Sequence, residues 1–312
     1  MESLLATIPE QEFIRSAAAR GVAGPPVRVD MHCHSRFSVE RIRVPRMIFH
    51  PLLEPEESYD MAIARGMDFV TLTDHDTIDG CKALLDRRGD LPNFFFGEEV
   101  SVRFPEDRTL IHVNVYDITE REHDEIQRVR DNLYDFVDYV TRIGRLFVLN
   151  HMTWNAQHRV LTSRQIETML RLFPAFEALN GTRSYAHNAF TLRATAGHHK
   201  SLVAGSDSHT HRVGTTFTLT FGATVRELLD NVRRGATLPC GEWGTAEKLR
   251  EDVWLTIQKN VERRVEAASG AWGRFWARRL RQLGRAVYPA ACLGYTARQN
   301  SLIRGFAREL PA

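Results

Sequence analysis

Seven short runs of strand-forming residues recur between Val27 and His209: VRVDMH, DFVTLTDH, FFFGEEV, LIHVNVYD, LFVLNH, AFEALNG and SLVAGSDSH. Between them lie segments such as PEESYDMAIARG and the long REHDEIQRVRDNLYDFVDYVTRIG, whose apolar residues fall at helical intervals; the first ends in a glycine suited to a helix C-cap. Strand, helix and strand in alternation predict a parallel sheet. Seven apolar strands at this regularity predict a closed or nearly closed α/β barrel rather than a series of hairpins. The pattern stops near Gly241.

The polar residues within these runs carry the functional information. His32 and His34 are separated by one residue, so on a strand they share a face while Cys33 points the other way. That is a chelating geometry, although an isolated H-x-H is also what an ordinary polar strand end looks like. Other runs end in, or are punctuated by, Asp74 and His75, Glu98 and Glu99, His112, His151, and Asp207 and His209. In an α/β barrel the carboxyl ends of the strands converge on one mouth, which would collect all of these side chains. Imidazoles and carboxylates without thiolates suit Zn²⁺, Mn²⁺ or Fe, and a bridging glutamate suits two or more ions. Hydrolysis is the chemistry such a cluster favours.

Bulk properties narrow the alternatives. A formal net charge of +2 over 312 residues gives no global electrostatic case for nucleic acid or membrane binding. The four cysteines, Cys33, Cys81, Cys240 and Cys292, show no CxxC spacing, which argues against a disulfide framework and a thiolate zinc site and fits a reducing cytoplasm. The first 26 residues lack a continuous apolar stretch, and no run of eighteen apolar residues occurs, so neither a signal peptide nor a transmembrane helix is expected.

The set HCHS (32–35), TDHDT (73–77), GEEVS (97–101), HV (112–113), NH (150–151) and GSDSH (205–209) resembles the PHP family, the polymerase and histidinol phosphatase superfamily, in order from about Val27 to about Gly241. The resemblance implies a distorted seven-stranded (β/α) barrel with two or three divalent metal ions that hydrolyses phosphomonoesters, nucleotides or nucleic-acid ends. It makes His32, His34 and Asp207 ligands of a first ion, bridged by Glu99 to a second ion on His112 and His151. His75 and His209 would belong to a third. Asp74, Glu99 and His209 are the candidate catalytic groups. Glu98 is expected to face away from Glu99 on a regular strand. One position departs from the pattern: where many members carry S-x-x-S-D, this chain has Val39, and the following Glu40 is the candidate substitute ligand. The stretch RIRVPRMIFHPLL (41–53) reads as an inserted loop over the mouth.

His50, His123, His158, His187, His198, His199 and His211 lie outside the motifs and are expected to be surface or structural. Arg183 and Arg212, just beyond strand ends, are candidates for gripping phosphate oxygens bidentately or for simple solvation. From about residue 245 the chain becomes helical, with arginines interleaved among Trp272, Phe275, Trp276 and Leu280. Such a helix can meet an anionic membrane or nucleic acid, but packing of its aromatic face on its own domain is the first expectation. The predicted organisation is an extension (1–26), a barrel (27–244) and a helical segment (245–312). The predicted function is that of a cytoplasmic metal-dependent phosphoesterase acting on a phosphorylated small molecule or nucleotide. The rivals are a hydrolase of C–N or C–O bonds at the same site and a non-catalytic metal-binding scaffold.

Overall fold

The computed structural model describes residues 9–42, 47–267 and 270–309, except for the side chains of 40–42, 47–49, 264–267 and several residues between 271 and 283. The elements run α1 (Glu10–Ala19), β1 (Pro26–Val29), β2 (Glu40–Ile42), β3 (Met47–Phe49), α2 (Pro55–Ala64), β4 (Val70–Leu72), α3 (Asp79–Arg88), β5 (Phe94–Arg103) and β6 (Leu110–Tyr116). They continue with α4 (Glu120–Val129), α5 (Leu133–Arg142), β7 (Leu146–Leu149), α6 (Ser163–Leu172), β8 (Ala175–Asn180), α7 (Tyr185–Thr195) and β9 (Ser201–Gly205). The last are β10 (Thr216–Phe221), α8 (Val225–Arg233), β11 (Leu238–Gly241), α9 (Ala246–Ala267) and α10 (Ala271–Glu309).

Six strands form one sheet in the order β4-β5-β6-β7-β8-β9, and β1, β10 and β11 form a second, antiparallel sheet. The segment that continues from β1 lies between the two edges of the larger sheet. Val29 bridges Phe69 ahead of β4, Cys33 bridges Ser208 just past β9, and the Asp207 amide donates to the His32 carbonyl at 2.6 Å. The expected barrel is therefore a curled six-stranded sheet whose edges are joined through single bridges. This close approach requires glycine at 205, because a Cβ there would lie 2.3 Å from the His32 Cβ and 2.6 Å from its amide nitrogen.

The all-parallel expectation needs correction at β6, which is antiparallel to both β5 and β7. Only the six residues 104–109 separate β5 from β6, far fewer than the dozen or more that a parallel crossover needs. The long helical stretch after β6 is also two helices rather than one. The first run ends at Val129, and Asn132 then caps α5 by accepting from the Tyr134 amide, a local bond that competes with a continuous helix. Where an inserted loop is expected at 41–53, β2 and β3 pair antiparallel, with Glu40 opposite Phe49.

Strand alternation separates core from site. On β6, Val113 and Val115 join a large apolar cluster with Val100, Val102, Phe136, Phe147, Ile166 and Phe173, while His112, Asn114 and Tyr116 occupy the opposite face. α1 packs Phe13 and Ala17 on Leu219, Phe221 and Leu238 of the second sheet. The C-terminal helices pair with each other, Trp254 of α9 stacking on Tyr288 of α10 at 5.0 Å, and α10 docks on the rest where Phe306 meets Phe190 of α7 at 5.3 Å. Among the described residues no helix is long and apolar enough to cross a membrane.

Candidate metal centre

The chain after β1 delivers His32 and His34 with their Nε2 atoms 3.1 Å apart. β5 supplies Glu99, whose Oε2 lies 3.3 Å from both of these nitrogens and 3.0 Å from Nδ1 of His75, three positions after the end of β4. The other Glu99 oxygen, Oε1, is 3.3 Å from Nδ1 of His112 and 3.1 Å from Nε2 of His151. Asp207 closes the ring, with Oδ1 at 3.6 Å from His32, 3.4 Å from His34 and 3.8 Å from His209 Nδ1. Four sets of three donors each lie within 4.8 Å of one another: His32/His34/Glu99, His75/Glu99/His112, His32/His151/Asp207 and His34/His75/His209. All eight residues from the motifs are thus brought together. Within these sets His75 joins Glu99 and His112, and His151 joins His32 and Asp207, a different partition from the one the resemblance implies.

The donor set fits divalent metal. Glu99 Oε2 and His112 Nδ1 are buried and make no hydrogen bond. The Nδ1 of His32 faces Glu177 Oε1 at 2.9 Å, which places the imidazole proton there and turns a lone pair from Nε2 toward His34. Two imidazole nitrogens and a carboxylate oxygen that converge in this way repel unless a cation stands among them. Protonation tendencies differ along the cluster: burial lowers His32, but the carboxylates of Glu99, Glu177 and Asp207 outweigh it and raise the imidazole well above its ordinary value, a pull that a bound cation would answer in place of a proton. Burial and neighbouring His209 push His34 down to about 4, keeping it neutral as a ligand must be. Burial alone would raise Glu99, but His32, His75 and His112 hold it well below the usual carboxylate range.

Two of these positions carry backbone strain. His151 and Asp207 have φ of 22° and 49°, in the left-handed region, which costs on the order of 1–3 kcal/mol each. Hydrogen bonds from the surroundings hold them: the His151 amide donates to Glu177 Oε2 at 2.9 Å, and the Asp207 amide to the His32 carbonyl.

Glu177 is the buried neighbour of the cluster that the motifs missed. It is fully buried on β8 and accepts from the His32 ring, the His151 amide and Asn180 Nδ2 at 2.8 Å. The available signal was a carboxylate inside the otherwise apolar run AFEALN, which burial permits only with partners. Asn150, from the NH motif, donates to Glu99 Oε1 at 2.8 Å. Ser38 Oγ lies 3.1 Å from His34 Nδ1 and accepts from the His75 amide.

Other residues singled out in the sequence lie outside the donor sets. Asp74 does not join the donor sets; its two oxygens accept from the Ser35 amide and hydroxyl, both at 2.6 Å, and burial pushes its carboxyl up to about 7. Its role in this geometry is to fix the turn after His34. Glu98 faces outward to His123 Nδ1 (2.8 Å) and Gln127. Arg212 is not a free phosphate grip, because Asp252 and Glu251 of α9 take its guanidinium at 3.1 and 2.6 Å. Arg183 is also engaged, stacked 4.5 Å from the Trp154 ring and bonded to Asp207 and to Tyr295 of α10. Val39 is 42% exposed. Glu40 begins β2, and its side chain lies outside the described residues.

No family model and no curated protein matches this sequence. Solved structures do. A two-domain protein from Bacteroides vulgatus, described as containing a predicted PHP-like metal-dependent phosphoesterase, aligns with TM-score 0.52 and 16% identity over 74% of this chain and 71% of its own. An amidohydrolase from Chromobacterium violaceum, with bound sulfate and no metal, aligns at TM-score 0.39 and 20% identity over 60% and 89%. A lesion-specific endonuclease from Pyrococcus furiosus aligns at 0.43 and 15% over 67% and 56%. The first of these likenesses shows that the chain shares the fold of that Bacteroides protein over about three-quarters of its length.

Proposed function

We propose that the protein is a metal-dependent hydrolase of phosphate esters, with a phosphomonoester, nucleotide or nucleic-acid end as substrate. The observation that carries this reading is the position of Glu99, whose two oxygens face different histidines and so offer one carboxylate to two ions. Zn²⁺, Mn²⁺ or Fe would fill sites built from His32, His34, His75, Glu99, His112, His151, Asp207 and His209. Such ions supply a hydroxide nucleophile at neutral pH and offset the charge of a transferring phosphoryl group. The chain's own part is positional. Glu177 and Ser38 fix the two imidazoles of the HCH motif, and Asn150 fixes Glu99. His209, one-quarter exposed, and His75 form the open rim of an otherwise buried cluster, so substrate enters on their side. With no ion on the His34/His75/His209 set, the His209 imidazole is there placed to give a proton to a departing oxygen.

The test is a panel of p-nitrophenyl phosphate, bis-p-nitrophenyl phosphate, nucleoside monophosphates and 3′- and 5′-phosphorylated oligonucleotides, run with metal-stripped protein and after adding back each metal. Turnover restored by Mn²⁺, Zn²⁺ or Fe²⁺ is expected. Turnover by the stripped protein, or hydrolysis of amides and lactones but no phosphate ester, would sink the reading.

A further inference from the structure

Resting on the metal-site reading above, we propose that the C-terminal helix α10 is a working part of the centre and that Tyr295 is a positioning residue for Asp207, acting through Arg183. The Oδ2 atom of Asp207 is met by Thr182 Oγ1 at 2.7 Å, Asn180 Nδ2 at 3.2 Å and Arg183 Nη2 at 3.3 Å. With Oδ2 engaged from the protein side, Oδ1 is the oxygen presented to His32, His34 and His209. Thr182 and Asn180 belong to β8 and the turn that follows it, so they are set by the barrel itself.

Arg183 is different. Its long side chain must be held along its length before it can fix anything else. The Trp154 ring supports one face of the guanidinium at 4.5 Å, and Nη1 donates to the Tyr295 hydroxyl at 2.9 Å. The two terminal nitrogens of the fork therefore link a residue 112 positions away in sequence to a ligand of the centre. The Arg183 side chain is only 12% exposed, so water is a poor replacement for the phenol. Asp207 in turn sits at a left-handed φ of 49°, a conformation that persists only where its surroundings over-determine it. Tyr295 is part of that surrounding frame.

A role limited to docking α10 makes a different prediction, because α10 has other anchors. Glu309 at its far end accepts from the Ser163 amide and hydroxyl, with no connection to Arg183 or Asp207. Metal-stripped full-length wild type, Tyr295→Phe, Arg183→Lys and Glu309→Gln are titrated with Zn²⁺ against a chromophoric chelator, and their metal-free melting temperatures are compared. Tyr295→Phe is expected to lose about tenfold in affinity, and Arg183→Lys 10- to 100-fold, the range for removing partners of a metal ligand. Glu309→Gln should bind like wild type.

Wild-type affinity in Tyr295→Phe would overturn the proposal, as would an equal loss in Glu309→Gln. Should Tyr295→Phe melt far below the wild type, Arg183→Lys decides: affinity equal to wild type overturns the link, and a selective loss supports it. Wild-type protein that binds no zinc in this titration, nor manganese in its place, would overturn the metal-site reading and this inference together.

Discussion

Glu98 and Glu99 are adjacent on β5 and face opposite environments. Glu99 Oε2 lies 3.0–3.3 Å from three imidazoles of the cluster, whereas Glu98 Oε2 accepts from His123 Nδ1 at 2.8 Å on the helical side of the sheet. Neutralising each in turn separates the site from the scaffold. On the proposed function, in which Glu99 serves two ions, Glu99→Gln should lower phosphate-ester hydrolysis by about a thousandfold or more, because a neutral amide replaces the carboxylate. Glu98→Gln keeps a hydrogen-bonding side chain toward His123 and should stay within about tenfold of wild type. Equal losses in steady-state assays would show that the shared-ligand assignment is wrong.

Glu177 permits a second prediction. Its carboxylate orients His32 through Nδ1 and holds the strained His151 amide, so one side chain braces two members of the cluster. Glu177→Gln can still accept from one of these groups but cannot serve both in the same way. Metal affinity should fall 10- to 100-fold while the apolar core stays intact. Competition titration together with far-ultraviolet circular dichroism checks this. Unchanged affinity would reduce Glu177 to a buried carboxylate without influence on the centre.

The contrast between Glu99 and Glu177 shows what could be read in advance. The motif histidines stand at the ends of apolar runs, where a period of two fixes their facing, so their convergence followed once the strands were recognised. β6 was recognised as a strand but not as the reversed one, because direction depends on the length of the connection before it, here the six residues 104–109. Arg183 and Arg212 looked alike beside strand ends. Their fates were set by Tyr295, Glu251 and Asp252, residues remote in sequence that the docking of α9 and α10 brings to them. Asp74 lies within the TDHDT motif, yet its environment is dictated by Ser35 and burial, neither of which local spacing encodes.

A third prediction concerns backbone approach. At Gly205 an added Cβ would meet the His32 Cβ at 2.3 Å and its amide nitrogen at 2.6 Å, and backbone cannot retreat as a flexible side-chain end can. Gly205→Ala should destabilise the fold by about 1–3 kcal/mol and displace His32. Gly294, inside α10 with nothing within 4 Å of its notional Cβ, is the matched comparison. There alanine should be neutral or stabilise by up to about 1 kcal/mol, the propensity difference between the two residues in a helix. Urea denaturation of both variants measures this. A Gly205→Ala protein as stable as wild type would mean that β9 is not in fact wedged against the segment after β1.

The last prediction concerns how many ions bind, and how tightly. Of the four donor sets, His34/His75/His209 alone contains no carboxylate, and both His34 and His75 also belong to sets that include Glu99. Three imidazoles neutralise none of a divalent ion's charge, so this set should be the weakest. Elemental analysis of gently purified protein should give close to two equivalents, with a third appearing only in excess metal. Val39 follows Ser38, whose hydroxyl touches His34 and accepts from the His75 amide, and the resemblance puts a carboxylate at this position. Val39→Asp should therefore raise occupancy of the third position. Anomalous diffraction at the metal edge distinguishes the outcomes: a fully occupied third ion in the wild type would show that a ligand other than residue 39 already supplies the missing charge, and an unchanged third peak in Val39→Asp would show that position 39 does not reach it.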